Sequence, residues 1–96
     1  MEKILIVDDN PAVLEALSLL LEIHNFNVVT ATTPFEAIQI VQYQRIALVI
    51  QDMNFTSDTT SGEEGKTLFY ALREENPHLP IILITAWTEL STAIEL

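Results

Sequence analysis

Three aspartates and a threonine stand where aliphatic runs stop: Asp8 and Asp9 after Ile4 to Val7, Asp52 after "IALVIQ", and Thr85 after "IILI". Taken singly, each has an ordinary use. Asp8 or Asp9 could cap a helix starting near Pro11, and an acid after a strand could be a solvated turn residue. Taken together they point to chemistry. Three carboxylates in one place raise one another's pKa and destabilise a fold unless a cation neutralises them. A hard, oxygen-seeking ion such as Mg2+ suits them, because it takes one or two carboxylates and keeps its other positions for water and phosphate oxygens. The open positions suit phosphoryl transfer.

Whether these residues meet depends on the elements that carry them. The first aliphatic run reads as a strand buried on both faces. A helix then begins at Asn10-Pro11, an N-cap type followed by proline, carries Val13, Leu14, Leu17, Leu20 and Leu21 on one face, and ends near His24-Asn25. "NVVTA" gives a short second strand. "TPFE" sets Thr33 as N-cap, Pro34 in the first turn and Glu36 closing a capping box, on a helix that buries Phe35, Ile38 and Val41. "IALVIQD" is the third strand, aliphatic until it meets Asp52.

After the polar stretch "MNFTSDTTSGEEG", Ser61 and Glu64 form a second capping box, and Gly65, Leu68, Phe69 and Leu72 make an apolar stripe that stops at "ENP". "IILIT" is a fourth buried strand, and "TELSTAIEL" opens a fourth helix. This alternation predicts an α/β fold with a doubly wound parallel sheet and helices on both faces. Strand carboxyl ends share one edge of such a sheet, which is where Asp8, Asp9, Asp52 and Thr85 fall.

At 96 residues and 49% hydrophobic content, the chain allows one compact domain. It contains no cysteine, so a disulfide framework and a thiolate metal site are excluded and a reducing cytoplasm is permitted. No apolar run is long enough to span a bilayer, and the N-terminus lacks the apolar stretch of a signal peptide, so no membrane association is expected. Four basic against fourteen acidic residues, a formal charge of -10, argue against direct nucleic-acid binding by this segment.

"ILIVDDN", "ALVIQDM" and "PIILITA" at these separations resemble the receiver domain of bacterial two-component response regulators, and the resemblance runs from residue 2 to residue 96. It implies a flavodoxin-like strand order of 2-1-3-4 and a function as a phosphorylation-switched receiver. Asp52 would accept a phosphoryl group from a sensor histidine kinase and so control a downstream output domain. Asp9 and Asp52 would ligate Mg2+ directly, Asp8 would act mostly through a water, and Asn54 would offer its backbone carbonyl. Thr85 would hydrogen-bond the phosphoryl oxygen. Trp87, two residues on, would shield the phosphoryl group at the site mouth, a reading that stands level with simple packing.

The stretch from Met53 to Ser61 is longer than is usual and lacks the customary proline, which resembles a subgroup found in enhancer-binding transcription regulators. The family's fifth strand, its lysine, its switch aromatic and its last helix have no counterpart here, since Lys3 and Lys66 fall elsewhere. Residues 1–96 therefore read as a receiver domain incomplete at its C-terminus. Its fourth strand would be left as an edge suited to homodimerisation or strand exchange.

Two other functions compete. An aspartyl-phosphate phosphohydrolase also places a nucleophilic aspartate and a Ser/Thr at parallel strand ends, but it usually carries Asp-x-Asp where this chain has Asn10, and it needs a cap or substrate pocket that 96 residues can hardly provide. A degenerate receiver acting only as a protein-binding module would not need all three acids and Thr85, which this chain keeps. Of the remaining residues, His24 and His78 read as exposed loop residues, and Phe35, Phe69 and Leu72 as core.

Overall fold

A computed structural model describes residues 2–53 and 63–84, in which strands and helices alternate as β1 (Lys3–Val7), α1 (Pro11–Ile23), β2 (Val28–Ala31), α2 (Pro34–Tyr43), β3 (Ile46–Asp52), α3 (Glu63–Glu75) and β4 (Ile81–Ile84). The helix ends follow from local chemistry. Asn10 takes an extended conformation and its Oδ1 accepts the Ala12 N–H at 2.9 Å, while Pro11 needs no partner for a nitrogen that carries no hydrogen. At the other end Asn25 adopts a left-handed φ of 68°, a conformation asparagine tolerates better than most residues. The turn lets the N–H groups of Asn25 and Phe26 reach the carbonyls of Glu22 and Leu21, at 2.9 and 3.1 Å.

The Thr33 hydroxyl accepts the Glu36 N–H at 3.2 Å, as the capping box requires. The return contact lies one residue further back than expected: the Glu36 carboxylate accepts from the N–H and hydroxyl of Thr32, at 2.9 and 2.8 Å. Helix α3 stops where the Asn76 N–H closes on the Leu72 carbonyl and Pro77 cannot continue the ladder. Ser61, the expected cap of α3, lies outside the described residues.

The four strands form one parallel sheet in the order β2-β1-β3-β4. Helices α2 and α3 cover one face, where Leu5, Val7 and Val49 pack with Ala37, Leu68, Leu72 and Leu79. Helix α1 covers the other, where Ile4, Ile6 and Leu14 are buried and Leu17, Leu21, Leu48 and Ile50 pack against them. Among the described residues no helix is long and apolar enough to cross a membrane.

Two expected core positions and one expected buried strand are corrected: β4 is not buried, with Ile82 and Leu83 exposed, because it is an edge of the described sheet with a neighbour on one side only. Phe35 is 70% exposed, because α2 approaches the sheet through Ala37 and a residue two positions earlier points to the opposite side of the helix. Leu20 is 53% exposed, since the stripe facing the sheet runs through Leu14, Leu17 and Leu21 and leaves Leu20 beyond its border. Phe69 is half-buried, edge-on to Tyr70 at 5.4 Å and capped by the Arg73 guanidinium at 5.4 Å from the ring centre. Leu72 is fully buried, and both histidines are exposed, as expected.

Candidate functional site

Register decides which residues meet at the carboxyl edge. Val7 of β1 lies beside Gln51 of β3, so the residues that follow them, Asp8 and Asp52, emerge next to each other. Backbone pairing continues past the strand ends: the Asp8 N–H donates to the Ala31 carbonyl at 3.1 Å and the Met53 N–H to the Ile84 carbonyl at 2.9 Å. Both aspartates are therefore held on ordered backbone. Asp8 and Asp52 are buried and Asp9 is half-buried, and one carboxylate oxygen from each lies within 4.8 Å of the others.

Asp8 is not the cap of α1. Its Oδ1 accepts the N–H of Asn10 at 2.9 Å, bracing the residue that does cap the helix. Burial pushes the Asp8 carboxyl above its ordinary value, the Asn10 N–H pulls it part of the way back, and the neighbouring charge of Asp9 pushes it up again. A buried acid strained in this way favours a cation beside it. Two oxygens on one Mg2+ stand about 3 Å apart when adjacent and about 4 Å when opposite. One oxygen from each acid within 4.8 Å of the others puts all three in reach of a single hard cation, bound directly or through water.

Of the residues singled out in the sequence, the fold thus brings together Asp8, Asp9 and Asp52. Thr85, Asn54 and Trp87 lie outside the described residues; β4 ends at Ile84, the register partner of Asp52.

Gln51 passes unnoticed in the sequence. It is fully buried, and its Nε2 donates to the Gly65 carbonyl at 2.6 Å and approaches the Met53 sulfur at 3.5 Å. The signal was one amide at the end of an otherwise aliphatic strand, which periodicity alone does not flag. Gly65 does more than continue an apolar stripe: a Cβ there would stand 2.6 Å from the Met53 carbonyl oxygen, so only glycine lets α3 approach β3 this closely.

The sequence profile of the response regulator receiver domain matches residues 4–96. This chain belongs to that family. Among curated proteins, the receiver is 36% identical over 95 residues to the response regulator protein FleR of Pseudomonas aeruginosa, and 30% identical over 91 residues to the transcriptional regulatory protein GlrR of Escherichia coli. These alignments take in 97% and 95% of the receiver chain but only 19% of either relative, so the chain spans about a fifth of their length. Among solved structures, the N-terminal signal receiver domain of a two-component system response regulator from Bacteroides fragilis superposes with a TM-score of 0.81 at 32% identity, covering 99% of the receiver chain and 74% of that structure. The flavodoxin-like order expected from the sequence is the one observed.

Proposed function

We propose that the chain is a cytoplasmic, phosphorylation-switched receiver whose Asp52 takes a phosphoryl group from a sensor histidine kinase. The single observation that carries this reading is the convergence of Asp8, Asp9 and Asp52 at the carboxyl edge of the sheet. Asp9 and Asp52 would hold Mg2+ directly and Asp8 through a water, with the Asn54 backbone carbonyl as a further ligand. When bound, the cation would neutralise the acids and the incoming phosphoryl oxygens.

The chain's own residues would do the rest. An Asp52 carboxylate oxygen attacks phosphorus in line, the bond from phosphorus to the kinase imidazole breaks, and the bonding pair leaves with the ring nitrogen. Attack of this kind needs placement and charge neutralisation more than a general acid or base. Thr85 would hydrogen-bond the new phosphoryl group, and Trp87 would shield it from water. The resulting charge change would bias a downstream output domain. A transcriptional output agrees with the relatives' names, and the long Met53 to Ser61 stretch agrees with the enhancer-binding subgroup.

Incubation with acetyl phosphate and Mg2+ followed by mass spectrometry tests the reading. One phosphate should be added, retained for minutes and absent from Asp52→Asn. Persistence of the modification in Asp52→Asn would reject Asp52 as the acceptor, and steady turnover without retention would favour a hydrolase. A further element of the proposal is self-association through β4, an edge of the described sheet with Ile82 and Leu83 exposed. Sedimentation of the 96-residue chain should show dimers or larger species; a strict monomer at high concentration would remove this element alone.

A further inference from the structure

Gln51 lies on the face of β3 that it shares with Val49, among the aliphatic residues packed by α2 and α3. An amide is an expensive choice there. Its Oε1 is buried with no hydrogen-bond partner among the described residues, a defect that an apolar side chain of the same size would not have. Its Nε2, by contrast, is engaged by the Gly65 carbonyl. That carbonyl lies inside α3, where the helix ladder already gives it the Phe69 N–H. The bond from Gln51 is thus a second one, and the carbonyl would stay satisfied without it.

The effect of the second bond is positional. It fixes the first turn of α3 to the end of β3, at the place where the Gly65 backbone lies directly on that of Met53. The Gln51 amide also reaches the Met53 sulfur, and the Met53 N–H is held by Ile84. Asp52 sits between the two residues that this joint grips. Its neighbours are fixed from the helical side by α3 and from the edge by β4.

We propose that Gln51 is a positioning residue for phosphoryl transfer: by tying α3 to the end of β3 through Gly65 and Met53, it fixes the direction in which Asp52 presents its carboxylate to Asp8, Asp9 and the donor. The proposal rests on the reading of Asp52 as acceptor and extends it to a residue on the opposite face of the sheet. In-line attack is sensitive to small displacements of the nucleophile, so a loosened joint lowers the rate without unfolding the domain.

Gln51→Met tests this, because it keeps the length and volume of the side chain and removes the donor. Its melting temperature should stay within about 3 °C of wild type. Phosphorylation by acetyl phosphate should slow about tenfold, and Mg2+ affinity, measured by calorimetry without a phosphodonor, should fall by a similar factor. Gly65→Ala should shift both quantities the same way by wedging the joint apart, and it decides the matter if Gln51→Met does not fold. Leu14→Ala, on the other face, should lower the melting temperature while leaving the rate of the folded protein near wild type.

Wild-type rate and Mg2+ affinity in Gln51→Met would overturn the proposal, as would an equal loss of rate in Leu14→Ala. If wild type binds Mg2+ but takes up no phosphate, the acceptor reading fails, and the Mg2+ affinity of Gln51→Met alone then decides the role of Gln51.

Discussion

The two faces of the sheet are built from similar aliphatic residues but finished differently. On the face covered by α2 and α3, Leu5, Val49 and Leu72 are wholly buried. On the face that α1 covers among the described residues, Leu48 and Ile50 are only half-buried, and Ile82, the register partner of Ile50, is 51% exposed. Helix α1 itself shows Leu19, Leu20 and Ile23 to solvent. Cohesion is therefore concentrated on one side, and the α1 side contributes less of it.

The comparison makes a ranked set of expectations for equilibrium unfolding in guanidinium. Leu72→Ala should destabilise most, by about 4 kcal/mol, because the closed face cannot collapse into the space left behind. Leu14→Ala should cost about 2 kcal/mol, since the α1 face is open enough to relax. Equal losses in the two variants would break the comparison.

A smaller effect, of opposite sign, is expected at the carboxyl edge. The folded state holds the Asp8 carboxyl above its ordinary value, so its ionised form opposes folding at neutral pH. That cost is present above the raised folded pKa and is relieved as pH falls toward the unfolded value. Asp8→Asn should therefore raise the unfolding midpoint at pH 7 in the presence of a chelator, and the gain should shrink on acidification. A gain that grew as the pH fell would contradict the sign.

Glu36 runs the other way. Its carboxylate, held low mainly by the Thr32 N–H, supports folding above its unfolded pKa, and that support is lost as pH falls through the folded value. The smallest effect belongs to the solvent side of α1. Ile23→Ser, at a position 73% exposed, should change stability by no more than about 0.5 kcal/mol while improving solubility, and a larger loss would mean that this side is covered after all.

The parts of the fold legible in the sequence were those set by neighbours in the chain. Asn10-Pro11 and Thr33-Pro34 marked helix starts because caps act within three residues, and β3 could be read end to end because its aliphatic run stops at a charge. The acid cluster was legible because the alternation of elements sends strand ends to one edge. Phe35 and Leu20 were misjudged because a helix's period shows which residues share a side, whereas the width of the side that touches the sheet is fixed by tertiary packing. Gln51 was missed for a related reason: its partner is the Gly65 carbonyl, a backbone group that no letter of the sequence displays.

The strand order has a further consequence during synthesis. Because β1 lies between β2 and β3, the first of these four strands to leave the ribosome is the one that needs neighbours on both sides. It must wait for β3, which ends at Asp52, and at about 5–20 residues per second the wait lasts a few seconds. Through that interval Ile4 to Val7 is an apolar, β-prone segment on a nascent chain, the kind that recruits other chains. Lys3 stands on one side of it and Asp8 and Asp9 on the other, charges at both borders that oppose such pairing. The acid pair thus guards the newborn strand well before there is a sheet edge for it to serve.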